Sequence, residues 1–449
     1  MSHSSARVLA PISAVVLFFL YFFGLTRTGL MGPDEPRYAA IGRAMAATGD
    51  WITPRLWGAP WFEKPAFLYW MTAAGFKLGL GPDLAPRLPV ALASVAFLIY
   101  FFVVLRREFG DRAAWYSAAI LATSAGWLAY SHVAITDLPM SAAFAAAMFG
   151  LITGTPSVRA SLVAGALLGV AVLAKGLVPL VLFIPALWFL RQRIRDLAIL
   201  FAAAIVVATP WYALVTLRNG TTFLNEFIWK HHFGRFLNSA LQHERPLWFY
   251  VPVVLAALFP WTPLLALLFQ RRLFQDRRAL FLAVWFAWGF LFFSISRNKL
   301  PGYLLPLMPP LAALVGMALA STTRARFVLP ACGLLLCLVP GLAGMLPQAL
   351  AAGISHAFFH LSWSWAFVGV GISMVCTFLC GWRRPDWAVG VVAAGTTIFL
   401  VGVIWHVYPE LDGRLSGRSA QSMTCLPPLS RSQRYSIEYY AGKDLPDCK

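Results

Sequence analysis

Two adjacent carboxylates, Asp34 and Glu35, follow an apolar run and precede Arg37 and Tyr38 in the segment GPDEPRYAAIGRAM. Adjacent carboxylates repel each other and therefore need a partner. One interpretation is a general base, or a carboxylate that positions a substrate at a membrane surface. The alternative is a helix N-cap, in which Asp34 accepts backbone N–H bonds and Pro36 occupies the first helical turn. The residues alone leave both interpretations open.

A second charged pair lies among aromatic side chains in the segment WGAPWFEKPAFLYW, where Glu63 is followed by Lys64. Aromatic residues at this density are typical of a membrane–water interface. Lys64 is a compact cation that suits a lipid phosphate. The alternative is a lysine that extends along the apolar surface and pairs with Glu63.

Three further segments carry polar groups next to apolar runs. Asp137 lies in SHVAITDLPM, where it is either a functional carboxylate that faces the protein interior or a helix cap. The segment NEFIWKHHFGRFLN contains His232 and Arg235 in a basic cluster that favours anion binding. In SRNKLPGYLLPLMPP, Lys299 and Tyr303 place a cation and a phenol where a bound phosphate would explain the positive charge.

The elements that must position these residues are membrane helices. Of the 449 residues, 59% are hydrophobic and 12% are charged, which excludes an ordinary soluble domain. The pattern predicts an all-α integral membrane bundle of about thirteen transmembrane helices. The predicted spans are Val8–Leu25, Leu88–Leu105, Ala113–Tyr130, Pro139–Thr153, Leu162–Ala174, Leu177–Leu190, Leu197–Leu217, Trp248–Phe269, Ala279–Ile295, Tyr303–Ala320, Phe327–Leu346, Trp363–Gly381 and Trp387–Trp405.

The loop charges predict the orientation of the chain. Arginine is concentrated in one set of short loops, which the positive-inside rule assigns to the cytosol together with the N-terminus. The long loops 27–87 and 218–247 then lie on the outer side, and residues 1–405 form one membrane module with a short outer tail at 406–449. Within the first loop, Pro36–Thr48 predicts an amphipathic helix along the membrane surface. In an outer tail, Cys425 and Cys448 can form a disulfide.

Composition also excludes some partners. The net charge of +18 is spread over many short loops and forms no basic stripe, which disfavours nucleic acid. The sequence has no G-x-x-x-x-G-K-[ST] motif, which disfavours work driven by ATP.

The string DEPRYAAIGRAMAATGDWITPRLWGAPWFEKPAFLYW resembles the first outer loop of the membrane glycosyltransferases with GT-C fold. The resemblance is greatest to the bacterial branch that contains the undecaprenyl-phosphate aminoarabinose:lipid A transferases, relatives of the protein O-mannosyltransferases. The segments TDLPM, HHFGRF and SRNKLPGYLLPLMPP follow in the same order as in that branch. The resemblance covers roughly Thr28–Leu311.

The resemblance implies roles for several residues. Asp34 matches the central catalytic carboxylate of these enzymes, and Asp137 matches a second important aspartate. The residues expected around the lipid phosphate are Lys64, Arg235 and Tyr303. The remaining predicted substrate-binding residues are Glu35, Arg37, Tyr38, His232 and Lys299.

The resemblance gives no firm cofactor. Glu63 matches a reported metal position in the related enzymes, but Lys230 stands where a metal-binding histidine is often found. A divalent metal is therefore an open alternative.

The predicted function is transfer of a sugar from an undecaprenyl-phosphate-linked donor to an envelope glycolipid or glycan, with a phosphate of lipid A as the favoured acceptor. The reaction is expected at the periplasmic face of the bacterial inner membrane, with inversion at the sugar. The alternative is a transporter or flippase of lipid-linked sugars, which would need charged residues near the middle of the membrane.

The predicted orientation can be tested by thiol labelling in intact spheroplasts. A Ser4→Cys variant should resist a membrane-impermeant thiol reagent, because the N-terminus is expected in the cytosol. Cys425 and Cys448 should react with the same reagent once they are reduced. Labelling at position 4 without labelling of the tail would reverse the orientation.

Overall fold

The computed structural model describes residues 13–152, 157–227, 229, 244–322, 325–352, 357–360, 363–420 and 422–448. Most of these residues are helical. The α-helices lie at 13–21, Glu35–Thr48, Phe67–Lys77, Gly81–Phe109, Asp111–Thr123, Ala125–Ser131, Asp137–Ile152, Val158–Lys175, Val178–Leu182, Ile184–Phe189, Ile194–Leu224, Tyr250–Ala257, Arg277–Ile295, Met308–Ser321, Ala325–Leu335, Val339–Ala352, Trp363–Gly381, Pro385–His406, Tyr408–Leu415 and Arg431–Ala441. The 3-10 helices are Leu247–Phe249, Thr262–Phe269, Arg271–Gln275, Pro301–Leu307, Leu336–Leu338 and Arg418–Ala420. One two-stranded hairpin pairs Arg55–Leu56 with Ala59–Pro60.

The bundle is that of a multi-pass membrane protein. Within the described residues, seven helices are long and apolar enough to cross a membrane, or eight if the pair Leu247–Ala257 and Thr262–Phe269, bent by 110°, is one span. The seven are Gly81–Phe109, Val158–Lys175, Ile194–Phe227, Arg277–Ile295, Pro301–Ser321, Phe327–Ala351 and Pro385–His406. Besides the bent pair within Trp248–Phe269, two further predicted spans are broken into shorter helices, at Ser124 and at Phe183. The count of thirteen stays a prediction.

The long loop at residues 27–87, which we call the first loop, contains two packed helices. Glu35–Thr48, which we call the loop helix, packs against Phe67–Lys77. Their contact depends on Gly42, because a Cβ there would lie 2.5 Å from the side chain of Thr72. The loop helix confirms the helix predicted at Pro36–Thr48, but it does not lie open on a membrane surface. Most of its residues are buried, because a helix from the C-terminal tail covers it as well.

A buried ion pair joins the start of the loop helix to the transmembrane bundle. The Glu35 carboxylate accepts hydrogen bonds from the Arg87 guanidinium at 2.7 and 2.8 Å, and both side chains are at most 3% exposed. Arg87 also donates to the carbonyls of Leu25, Thr28 and Gly29 at 2.6–2.9 Å. One arginine therefore fixes the chain that leaves the first helix, the start of the loop helix and the helix Gly81–Phe109.

The tail is an ordered part of the fold in its described residues. Its helix Arg431–Ala441, which we call the tail helix, packs on the loop helix. Ser430 begins it with a capping box that includes Gln433. A disulfide joins Cys425 to Cys448, which is the pairing that an outer tail allows.

Breaking the Glu35–Arg87 pair should destabilise the protein strongly. We expect Glu35→Ala to cost about 3–5 kcal/mol, because it leaves the Arg87 charge buried without its anion. The matched control is Asp111→Ala in the half-exposed Arg106–Asp111 pair, where we expect about 0–1 kcal/mol. Thermal unfolding in detergent measures both. Equal midpoints for the two variants would contradict the structural role of the pair.

Candidate active site

Four charged side chains of the first loop form one contiguous cluster. Arg37 is 2% exposed and its Nη2 atom donates to the Asp34 carboxylate and lies 2.9 Å from a carboxylate oxygen of Glu63. The other oxygen of Glu63 lies 3.4 Å from the ammonium of Lys64. Two carboxylates and two cations thus alternate, and Asp34 is the accessible member, with 44% of its side chain exposed. We call this set the Asp34 cluster.

The structure distinguishes the two interpretations of Asp34. The residue occupies the N-cap position of the loop helix, and Pro36 lies in the first turn as expected. Its side chain, however, makes no capping hydrogen bond and contacts Arg37 instead. A capping role therefore does not account for this carboxylate.

Buried donors without partners surround the Asp34 cluster. The Nε and Nη1 atoms of Arg37, the hydroxyls of Tyr38 and Tyr69, and the indole nitrogen of Trp61 are all buried and make no hydrogen bond in the described part of the chain. Burial and the charges of Asp34 and Glu63 raise the pKa of Tyr38 well above its usual value. Its hydroxyl therefore keeps its proton and can donate. Leaving such donors unpaired costs free energy, and a polar ligand would satisfy them.

Opposite charges keep the Arg37 guanidinium ionised in this buried place. Burial lowers its pKa, but the negative charges of Glu63 and Asp34, with the neighbouring Tyr38, outweigh that effect and raise the pKa above its ordinary value. The rings of Trp61 and Tyr38 also lie 5.1 and 5.4 Å from the guanidinium carbon. The cluster therefore holds a fixed positive charge beside an accessible carboxylate.

A tight hairpin places Glu63 and Lys64 opposite the loop helix. The two-residue turn Trp57–Gly58 has positive φ angles of 50° and 87°, as type I′ turns require. Such a φ is uncommon for a bulky residue, and backbone strain of this kind is concentrated at functional sites. After the turn, the Trp61 N–H donates a hydrogen bond to the Pro54 carbonyl at 2.8 Å. The chain then continues directly to Glu63 and Lys64.

A second cluster contains Asp137. This residue begins the helix Asp137–Ile152, and its carboxylate accepts a hydrogen bond from the Lys175 ammonium at 2.5 Å. The same ammonium lies 4.9 Å from the ring centre of Tyr303. Asp137, Lys175 and Tyr303 therefore form one group, with Tyr130 beside them: a Cβ added to Gly302 would lie 2.7 Å from both Asp137 and Tyr130.

The two clusters share an electrostatic neighbourhood. The phenol of Tyr130 interacts with the charges of both Asp137 and Asp34. Tyr130 is thus a residue on which the charges of both predicted catalytic carboxylates act.

Sequence reasoning did not assign Lys175 to the site. It ends the helix Val158–Lys175, and its apolar flanks make it look like a residue at the end of a span. The available signal was a single lysine within an otherwise apolar run, which is expected to have an acidic partner.

Two predicted substrate-binding residues have structural partners instead. Glu35 is 2% exposed and is satisfied by Arg87 and by the backbone N–H groups of Met31 and Ala134. Lys299 is 4% exposed and donates to the carbonyls of Arg245 and Ser296. Both side chains therefore have partners within the described part of the chain, and their substrate-binding roles stay predictions. His232 and Arg235 lie outside the described residues, as do Lys230 and His231.

The described residues do not fit a bound metal ion. No group of three or more histidine, cysteine, aspartate or glutamate side chains that could hold one is found among them. Glu63 already lies between two cations, Arg37 and Lys64, which would repel a divalent ion.

Comparisons with known proteins agree with this architecture. Residues 63–213 match the family model described as dolichyl-phosphate-mannose-protein mannosyltransferase. A protein of Pseudomonas aeruginosa strain UCBPP-PA14, named undecaprenyl phosphate-alpha-4-amino-4-deoxy-L-arabinose arabinosyl transferase, is 35% identical over 71% of this chain and 61% of its own length. The protein of that name from Pectobacterium atrosepticum is 29% identical over 91% of this chain and 77% of its own.

The chain is also similar in structure to a solved protein of that kind. The crystal structure of ArnT from Cupriavidus metallidurans bound to undecaprenyl phosphate superposes with a TM-score of 0.79 at 28% identity, and the match covers 99% of this chain and 86% of that one. The chain itself spans about three fifths of the length of the Pseudomonas aeruginosa relative. The chain therefore has the GT-C membrane fold and is related in sequence and structure to the undecaprenyl phosphate-aminoarabinose arabinosyl transferases, which confirms the resemblance of its first outer loop.

Proposed function

We propose that this protein is an inverting glycosyltransferase that moves a sugar from an undecaprenyl-phosphate-linked donor to an envelope acceptor. The observation that carries the proposal is the Asp34 cluster: a half-exposed carboxylate held by a buried arginine, with a second carboxylate, a lysine and unpaired buried donors around it. Relatives whose names specify this donor chemistry share the fold.

In this proposal, the two cations Lys64 and Arg37 stabilise the leaving group. When the bond between the anomeric carbon and the phosphate oxygen breaks, negative charge develops on the lipid phosphate. Lys64, and the buried Arg37 behind it, are positioned to stabilise that charge in a site of low dielectric constant. The protonated hydroxyls of Tyr38 and Tyr69 supply further donors for phosphate or sugar oxygens.

The carboxylates serve the acceptor. An acceptor oxygen attacks the anomeric carbon from the face opposite the phosphate, and its proton passes to Asp34 if the acceptor is a hydroxyl. If the acceptor is already an ionised phosphate, as lipid A would provide, no base is needed, and Asp34 acts indirectly by holding Arg37, whose positive charge can orient the attacking anion. The Asp137–Lys175 pair holds the second carboxylate in a fixed position.

This function requires a site on the periplasmic side of the bacterial inner membrane, with the N-terminus in the cytosol and the tail outside. The first outer loop, the hairpin and the tail all contribute to one ordered layer, which supports placing residues 27–87 at the site. Residues 1–405 would then form the catalytic module, and loop 218–247, which is described only in part, would complete it.

The central test is Asp34→Asn, which keeps the shape of the side chain and removes its charge. We expect transfer from a lipid-linked sugar donor to a hydroxyl acceptor to fall by at least about a hundredfold, the usual scale for an acid–base group. With an ionised phosphate as acceptor, the loss would measure positioning alone. Binding of undecaprenyl phosphate should persist, since Lys64 is unchanged. Asp111→Asn, in the exposed Arg106–Asp111 pair between two helix ends, is the matched control.

Near-normal transfer by Asp34→Asn would remove the catalytic assignment. If purified wild-type protein translocates the lipid-linked sugar and never transfers it, the protein is a transporter. A panel of acceptors that includes lipid A identifies the acceptor in the same assay.

A second test concerns the lipid phosphate. Lys64→Ala should weaken binding of undecaprenyl phosphate by about ten- to a hundredfold, the equivalent of one charge-assisted hydrogen bond. The fold should survive, because Glu63 keeps Arg37 as a partner at 2.9 Å. The control is Lys77→Ala at the exposed end of the neighbouring helix. Equal affinities for the three proteins, measured on purified samples, would exclude a phosphate role for Lys64.

A further inference from the structure

The tail helix is attached to the first outer loop by directed hydrogen bonds. The Ser436 hydroxyl donates to the Leu30 carbonyl at 2.7 Å, and the Leu30 N–H donates to the Tyr440 hydroxyl at 2.8 Å. On the other side, Arg43 donates to the Tyr439 carbonyl at 2.7 Å. These bonds join residues that are about four hundred positions apart in the chain, so the tail helix has a defined position on the loop helix.

That attachment brings an aromatic ring from the tail to the Asp34 cluster. The ring centre of Tyr435 lies 5.3 Å from the guanidinium carbon of Arg37. Arg37 thus has aromatic rings from three places around it: Tyr38 in the loop helix, Trp61 after the hairpin, and Tyr435 in the tail helix. Arg431 lies 5.6 Å from the same Tyr435 ring.

We propose that the tail helix forms one wall of the active site, and that Tyr435 is a positioning residue for Arg37. This inference rests on the proposed function for its catalytic part. Arg37 is the only cation in the described residues that forms ion pairs with both Asp34 and Glu63. A ring that restricts the guanidinium plane therefore restricts both carboxylates, although Tyr435 touches no reacting atom.

The contact between Tyr435 and Arg37 does more than pack the tail helix against the loop helix. The Nε and Nη1 atoms of Arg37 make no hydrogen bond among the described residues, so its orientation depends on one hydrogen-bonding nitrogen and on the surrounding rings. A guanidinium prefers to lie over an aromatic face. Removing the Tyr435 ring should therefore leave Arg37 paired but less restrained, with the rings of Trp61 and Tyr38 still beside it.

The experiment compares Tyr435→Ala, Tyr435→Phe and Ser432→Ala in the full-length protein. Ser432 lies on the same helix, and its side chain makes no hydrogen bond within the described residues. With the assay used for Asp34→Asn, we expect Tyr435→Ala to lower kcat about tenfold and to change the KM for the lipid-linked donor less than twofold. Tyr435→Phe, which keeps the ring, should restore kcat, and Ser432→Ala should match wild type.

A second readout does not depend on transfer. Thermal unfolding midpoints in detergent are measured for Tyr435→Ala, Arg37→Ala and the double variant, with Arg37→Gln in place of Arg37→Ala if the latter does not fold. If the ring and the guanidinium interact, Tyr435→Ala should lower the midpoint in the wild-type background and have little further effect without Arg37.

The outcomes separate the two proposals. Additive midpoints, or a kcat for Tyr435→Ala equal to wild type in an active preparation, would overturn the role of Tyr435 and leave the proposed function intact. If wild type transfers no sugar to any acceptor, the proposed function fails, and the midpoints alone decide whether Tyr435 positions Arg37. Equal kcat losses in Tyr435→Phe and Tyr435→Ala would assign the effect to the hydroxyl and contradict positioning by the ring.

Discussion

The buried pair between Glu35 and Arg87 is the interaction on which the rest of the site depends. Taking two charges out of water is expensive, and the cost is recovered only when geometry and further hydrogen bonds are good. Here the arginine uses its remaining donors on three carbonyls at the end of the first helix, and the glutamate accepts two backbone N–H groups. The direction in which the first loop leaves the membrane is fixed by this pair.

Its position also explains why two adjacent carboxylates have different environments. Residues 34 and 35 lie at the beginning of the loop helix, so their side chains point in different directions. Glu35 faces the bundle and is neutralised there, whereas Asp34 faces Arg37 and remains 44% exposed. The repulsion expected between the neighbours is relieved because each has its own arginine. Because Arg87 anchors Glu35, the position of the adjacent and accessible Asp34 is well defined.

Local features of the site could be predicted from the sequence. Pro36 and the apolar spacing after it predicted the loop helix, and the charged residues among aromatics predicted where polar chemistry would lie. Burial could not be predicted, because the loop helix is covered by a tail helix about four hundred residues away in the chain. The different environments of Glu35 and Asp34 were missed for a related reason. Arg87 is the last residue of the predicted loop 27–87, and nothing in the local sequence links it to position 35.

The same argument applies to Lys175 and Tyr435. Each is unremarkable within its own segment: one ends an apolar helix, and the other lies in a polar tail. The role of each residue depends on a partner in another segment: Asp137 for Lys175 and Arg37 for Tyr435. Periodicity and spacing describe what a segment does alone, so they identify carboxylates that must have partners without identifying those partners.

In the arrangement that we propose, the tail helix adds a wall to this site. A disulfide joins Cys425 to Cys448, and the tail helix between them brings the ring of Tyr435 to 5.3 Å from the guanidinium carbon of Arg37. The first loop supplies the charges that bind the donor phosphate, whereas the tail helix acts on them only through the orientation of Arg37. A change in the tail helix would therefore alter the geometry of the Asp34 cluster without altering its charges.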